Sequence, residues 1–291
     1  MRGLHFTKGH GTENDFVLVA DLDGTRDLTV EEVRLLADRR AGLGGDGVIR
    51  VVPTARASEA LVREQAGRAA WFMDYRNADG SAAEMCGNGT RVFAAYLRRE
   101  GLETADEFAI ATRAGVKTVV VTGEQYAVDL GPWRVVDPAG ARERGFDSTV
   151  RARGGVELPA LSLDLGNPHT VVILPPGIDL DTLDLTEAPA VSPTPAHGTN
   201  VEFVRAIAQG HIAMRVHERG VGETRSCGTG AAAAALATRW WEGESDDNRE
   251  WTVDVPGGRL SVRALPDQHV ELAGPAVLVA DGTLELPSPP S

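Results

Sequence analysis

The sequence has 291 residues, a formal net charge of −13 and 42% hydrophobic residues. That length exceeds a usual single core, so one large or two medium domains are expected. The acidic balance argues against the basic face of a nucleic-acid binder, and two cysteines in so long a chain exclude a disulfide framework.

The opening stretch "MRGLHFTKGHGTENDF" lacks the uninterrupted apolar run of a signal peptide, and no segment approaches the roughly 20 apolar residues of a membrane span. A cytoplasmic protein with no membrane partner is expected. A turn at Asn14 leads into the strand "DFVLVAD" (15–21), and "ADLDGT" (20–25) reads as a hairpin turn because it lacks the remaining ligands of a calcium loop. "TVEEVRLLADRR" (29–40) reads as a helix with Thr29 as N-cap. "GLGGDG" (42–47) matches G-x-G-x-x-G through Gly42, Gly44 and Gly47. The dinucleotide fingerprint needs a strand before it and a helix after it, and here helix 29–40 precedes and strand 47–52 follows. The motif therefore reads as a helix-to-strand turn. Segment 53–70, "PTARASEALVREQAGRAA", reads as an inserted loop or short helix without an assigned role.

"EMCGNGTRVFAAYL" (84–97) puts Cys86 on a Gly-rich turn before a helix spanning 89–101 and ending at Gly101. Strand patterns follow at 116–121 and 125–130, and a domain boundary is expected near 131, at "DLGPW". Beyond it come a strand at 169–174 after a turn at Asn167, a short turn at "DLDTL", a Pro-rich loop at 187–199 and strands at 201–207 and 211–218. "RSCGTGAAAAALAT" (225–238) repeats the cysteine turn with Cys227, before a helix at 228–243 ending at Gly243. Strands at 251–255, 260–265 and 269–279 complete the chain, and the tail "LPSPPS" is expected to be disordered. Most strands lie too close together for a crossover helix between each pair, so the sheets should be largely antiparallel and the class α+β.

The halves read as two copies of one plan. Asn14 and Asn167 each open a strand, Cys86 and Cys227 follow by 72 and 60 residues, and Asn77 and Glu218 each stand nine residues before a cysteine. The basic residues include only two lysines, Lys8 and Lys117, neither in a motif suited to a pyridoxal Schiff base. The seven histidines show no metal-ligand spacing. No cofactor and no metal are expected.

Both cysteines are thus Cys-Gly-x-Gly at a helix start. Exposed N–H groups and the helix dipole favour thiolate there, by about one pKa unit at most, and also form a site for a carboxylate, which the glycines allow to approach the backbone. Two such starts facing one another could hold a carbon acid, take its proton with a thiolate on one face and return one from a thiol on the other. The plainer alternative is that each cysteine is a small buried hydrophobe. A disulfide between them would mark oxidative inactivation in a reducing compartment.

These stretches resemble diaminopimelate epimerase. The matching pieces are "GTENDF" (11–16), "RRAGLGGDGVI" (39–49), "RNADGSAAEMCGNGTR" (76–91), "GNPHTVV" (166–172), "GTNVEFV" (198–204), "RVHERGVGETRSCGTGAAAAA" (215–235) and "GPAVLVADGTL" (274–284), in the family's order. The resemblance implies a cofactor-independent homodimeric epimerase converting LL- to meso-diaminopimelate for lysine and cell-wall synthesis. It also implies two pseudo-symmetric domains, each a curved mixed sheet around a central helix, with the last strand returning to the first domain: 1–131 with 272–291, and 132–271. Cys86 and Cys227 take the acid and base positions. Asn14, Asn77, Asn167 and Asn200 match substrate-holding asparagines, and Gly87 with Asn88, and Gly228 with Thr229, supply helix-start contacts. Glu218 and Arg219 match the pair that grips the distal amino and carboxylate groups, as guanidinium binds carboxylate bidentately. His169 and Glu218 match positions that tune the thiols. Gly47 departs from the pattern, since some relatives carry glutamine there, which puts one substrate contact in doubt. Two other readings remain open: a proline-racemase-like enzyme, and a non-catalytic binding protein or thiol redox sensor.

Overall fold

A computed structural model describes residues 2–286. Of the tail "LPSPPS", expected to be disordered, Leu286 instead ends the last strand and is buried, and the rest lies outside the described residues. The chain divides into two compact units, residues 1–128 with 274–291, and residues 129–273. Among the described residues the α-helices are α1 (Val30–Ala37), α2 (Ala60–Arg63), α3 (Gly87–Arg99), α4 (Pro138–Arg144) and α5 (Gly228–Trp241). None of the described helices is long and apolar enough to cross a membrane.

In the first unit, strand Arg2–Gly11 pairs antiparallel with both Asn14–Ala20 and the returning strand Val277–Leu286. Asn14–Ala20 runs parallel to Gly47–Pro53, which is antiparallel to Trp71–Asn77; this strand is parallel to Glu107–Thr112, and Gly115–Thr122 continues antiparallel. The period-2 alternation of side chains divides the strands between two helices. Phe16, Leu18, Ile49, Val51, Met73 and Tyr75 face α3, packing on Val92, Phe93, Tyr96 and Leu97. Val17, Val19 and Val48 face α1, packing on Val33 and Leu36. The sheet is thus covered on both faces, and α3 is buried along most of its length.

The second unit repeats the succession of pairings. Leu158–Asp164 is antiparallel to Pro168–Ile173, which is parallel to Asn200–Ala208; that strand is antiparallel to His211–Glu218, itself parallel to Glu250–Val255, and two antiparallel strands follow. The parallel step from His211–Glu218 to Glu250–Val255 is made through α5, as the step from Trp71–Asn77 to Glu107–Thr112 is made through α3. Ala231 to Ala235 are fully buried, so small side chains bring this helix close to its sheet. The class is α+β, as expected, with a substantial parallel component.

Local chemistry sets the boundaries. Thr29 caps α1 through a full capping box with Glu32. The helix stops at Ala37, short of the expected 40, because Asp38 takes an extended conformation and its carboxylate accepts the Arg40 and Ala41 N–H groups. The stretch read as one strand over 269–279 is two, His269–Pro275 and Val277–Leu286, with the break after Pro275. Segment 53–70 forms a 3-10 turn and α2, and buries Ala57, Val62 and Ala69 against Val52, Phe72 and Ala111. Glu59 of this segment ties it to Arg113, whose Nη2 also reaches Asp74 at 2.5 Å. Buried Asp74 takes Arg50 on its other oxygen at 2.8 Å.

Candidate functional site

Each cysteine is the N-cap of its helix. Cys86 sits at φ −139°, ψ 119° before α3, and its sulfur accepts the Gly89 N–H at 3.5 Å. Cys227 sits at φ −118°, ψ 118° before α5, and its sulfur accepts the Gly230 N–H at 3.3 Å. The thiol replaces the hydroxyl or carboxylate that usually satisfies this amide, so the same hydrogen bond that starts the helix also favours a negative sulfur. Both cysteines are free thiols.

In the first unit the structure brings Cys86, Asn14 and Asn88 together. The Cys86 Sγ is 3.7 Å from Asn14 Oδ1, and Asn88 Nδ2 donates to the same oxygen at 3.2 Å. Asn14 Nδ2 donates to Asp46 at 2.6 Å, which gives the aspartate of "GGDG" a structural task. Asn77 ends its strand and donates to Ser81 Oγ at 3.0 Å, so its side chain closes the following turn. Gly47 pairs with Asn77, and a Cβ on it would lie 2.5 Å from the Tyr75 ring and 2.6 Å from the Arg76 carbonyl. Here glycine is compelled by close backbone approach.

In the second unit Cys227 is surrounded by Thr229 (Oγ1 at 3.6 Å from the sulfur) and the carboxylates of Glu218 and Glu202. Burial pushes its thiol well above the usual range, and Glu218 and Glu202 add to the rise against the opposing hydrogen bonds of Thr229 and Gly230. Glu218 ends strand His211–Glu218 and accepts from Thr224 at 2.5 Å. Asn200 is buried, donating to the Pro168 carbonyl at 3.0 Å and accepting the Arg219 N–H at 2.9 Å. It therefore fixes the backbone from which the exposed Arg219 side chain extends. Asn167 lies in the turn before Pro168–Ile173, its carbonyl accepting the Leu165 N–H at 3.2 Å. Gly87 and Gly228 are the first residues of their helices, where their N–H groups have no intrahelical partner.

His169 is fully buried and shares a 2.7 Å hydrogen bond through Nδ1 with Glu202 Oε1, while His169 Nε2 and Glu202 Oε2 have no partner. Burial pushes the Glu202 carboxyl up despite the opposing attraction of His169. The sequence reading missed Glu202. Its signal is a single acid inside the apolar run "NVEFV", on the strand that also carries Asn200. Among the described residues no group of three or more His, Cys, Asp or Glu side chains is placed to hold a metal ion.

Similarity to known proteins identifies the family of this chain. The sequence profile described as diaminopimelate epimerase matches residues 6–136 and 161–279. The chain is 49% identical to the diaminopimelate epimerase of Streptomyces coelicolor over 97% of its length and 96% of that protein. It is 47% identical to that of Thermobifida fusca, over 97% and 98%. Among solved structures, a phenazine biosynthesis protein of the PhzF family from Bacillus anthracis superposes with a TM-score of 0.70 at 19% identity, covering 98% of this chain and all of that one. A hydroxyproline epimerase from Agrobacterium vitis superposes with a TM-score of 0.66 at 13% identity, covering 99% and 94%. At such identities these two show a shared fold only. With a profile spanning most of its length and relatives near half-identical from end to end, the chain belongs to the diaminopimelate epimerase family.

Proposed function

We propose that this family member interconverts LL- and meso-diaminopimelate without a cofactor, using Cys86 and Cys227 as base and acid on opposite faces of the α-carbon. The observation that carries the reading is the matched capping geometry: each sulfur accepts the N–H three residues into its helix, at 3.5 and 3.3 Å. In one direction a thiolate takes the α-proton and becomes a thiol, and the other thiol returns a proton and becomes a thiolate. The site's charge is unchanged and the roles exchange for the reverse reaction, which is why two like groups suit it. The electron pair left at the α-carbon is delocalised onto the substrate carboxylate, which amide N–H groups of the helix starts at Gly87–Asn88 and Gly228–Thr229 would hold.

Asn14, Asn77, Asn167 and Asn200 bind the remaining polar groups of the substrate in this reading, Glu218 and Arg219 take its distal amino and carboxylate groups, and His169 with Glu218 adjusts the thiols. The enzyme would act in the cytoplasm as a homodimer. A substrate with one amino-acid end would leave the distal grip of Glu218 and Arg219 without a use, which disfavours proline as substrate. The test is solvent deuterium uptake at the α-carbon, under reducing conditions, with diaminopimelate and proline offered side by side. Uptake into diaminopimelate that is abolished in folded Cys86→Ala and Cys227→Ala is expected. Near wild-type turnover in either variant, or uptake into proline alone, would end the proposal.

A further inference from the structure

Arg91 lies on α3, one turn beyond Cys86, and is wholly buried. Among the described residues no carboxylate pairs with it. Its Nη2 donates to Asn88 Oδ1 at 2.6 Å and to Thr12 Oγ1 at 3.1 Å, its Nη1 donates to the Pro275 carbonyl, and its Nε has no partner. A buried guanidinium held by neutral groups alone is costly. Burial pushes it down to about 10, and the charge that opposes this fall is that of the Cys86 sulfur. It therefore remains a cation at neutral pH, and the attraction is mutual.

Two further features converge on the same guanidinium. The hairpin between strands Arg2–Gly11 and Asn14–Ala20 turns through Thr12 at φ 50° and Glu13 at φ 62°. Neither is a glycine or an asparagine, and a left-handed β-branched residue is a strained outlier. Arg91 grips the Thr12 hydroxyl. The preceding Gly11 leaves the space this requires, because a Cβ there would lie 3.1 Å from Arg91 Nη2 and 3.0 Å from the Asn88 carbonyl.

The second feature is hydrogen-bond direction. A guanidinium can only donate, so the Asn88 amide must turn its oxygen to Arg91 and its nitrogen to Asn14. Asn14 must then present its oxygen to Asn88 and Cys86, and its nitrogen reaches Asp46. Arg91 at one end and Asp46 at the other thus fix the orientation of both amides.

We propose that Arg91 is the positioning residue of the Cys86 site: it anchors the strained Thr12–Glu13 turn, orients the Asn88 and Asn14 amides, and supplies a fixed positive charge about one turn along α3 from Cys86. Asn14 Oδ1 favours the thiol, while Arg91 and the helix start favour the thiolate. Opposed in this way, they leave Cys86 able to hold or release a proton, as a residue that alternates between acid and base requires. The other charges around this network are Asp15 and Asp46, paired with Lys8 and Arg39, and the exposed Glu13 and Glu84.

The inference rests on the two-cysteine reading of the site, but its test does not depend on turnover alone. In full-length Cys227→Ala protein, iodoacetamide reads Cys86 as the single thiol. The pH profile of alkylation is expected to move to higher pH in Arg91→Met and to stay with the parent in Arg91→Lys. With both cysteines present, Arg91→Lys should still lose about tenfold or more in kcat, because an ammonium cannot fork to Thr12 and Asn88 together. An Arg91→Met protein that melts like its parent and keeps the parent profile would overturn the proposal. If that variant does not fold, wild-type kcat and KM in Arg91→Lys would overturn it instead. Absence of α-proton exchange in the unmutated enzyme would overturn the functional reading while leaving the alkylation profiles to decide the role of Arg91.

Discussion

Replacing Gly230 by alanine should separate stability from turnover. A Cβ at this position would lie 2.8 Å from Glu202 Oε1, 3.1 Å from Cys227 Cβ and 3.2 Å from Cys227 Sγ. Ordinary contact begins near 3.4 Å, so the carboxylate must retreat by about 0.6 Å and the sulfur by about 0.2 Å. Neither has free space: Glu202 is fully buried against His169, and Cys227 is held by its capping hydrogen bond. Overpacking of this kind costs about 1–3 kcal/mol, and the gain from alanine over glycine in a helix returns up to about 1 kcal/mol. The protein should therefore remain folded. Because a misplacement of about 1 Å at a reacting group can cost 100-fold, a shift of a few tenths of an ångström in sulfur and carboxylate should lower kcat about tenfold. Gly89 is the matched control at the same place in α3. A Cβ there would meet Met73 Cε at 3.0 Å and Ile49 and Phe16 at 3.4 Å, and the end of a methionine yields readily. Gly89→Ala should stay within about threefold of the parent on the same reasoning. Deuterium uptake at the α-carbon, with thermal unfolding in parallel, reads both variants. Equal losses of kcat in the two, or none in Gly230→Ala, would refute the reasoning.

Asp74 accepts from Arg50, Arg76 and Arg113. Burial alone would push its carboxyl up, but the hydrogen bonds of Arg76 and Arg113 outweigh it and hold it below the usual range. Asp74→Ala would take a shared acceptor from all three, leaving Arg50 with Asp21, Arg76 with Asp27 and Arg113 with Glu59, and should cost about 1.5–3 kcal/mol by denaturant unfolding; a loss below about 1 kcal/mol, the scale of an exposed pair, would contradict the network. Glu202 carries the opposite pH signature. Its carboxyl binds a proton more tightly folded than unfolded, so the stability it contributes is complete below the ordinary value of 4.5 and is lost as pH rises through the raised one. Glu202→Gln, which has no proton to lose, should therefore compare more favourably with the parent at pH 8 than at pH 5. A difference in unfolding free energy that does not change with pH would count against a raised Glu202.

Much of the site was legible because its chemistry is local. A cysteine before Gly-x-Gly and a helix is visible in seven residues, and both occurrences proved to be N-caps. Strands with clean apolar runs, such as 211–218, were also readable. Trp71–Asn77 was missed because its alternate positions carry Asp74 and Arg76, whose burial becomes affordable only when Arg50 and Arg113 arrive from other strands and turns. Arg2–Gly11 was missed because Gly3, Gly9 and Gly11 weaken its strand pattern. The reason for Gly9 lies far along the chain, since a Cβ there would meet Val92 and Leu278. Arg91 and Glu202 escaped notice for the same cause: a charge in an apolar run looks like a solvated face until the fold shows it enclosed.

The returning strand has a bearing on how the molecule is made. Strand Arg2–Gly11 needs Val277–Leu286 beside it along its whole length, and Leu278 helps to close the core around α3. On a ribosome, the residues synthesised first must therefore wait for some of the last before their sheet is whole, whereas 129–273 is continuous and can complete itself beforehand. The later-emerging unit should mature first. Cys86, though translated well before Cys227, would then be the thiol exposed longest to oxidants and chaperones in the nascent chain.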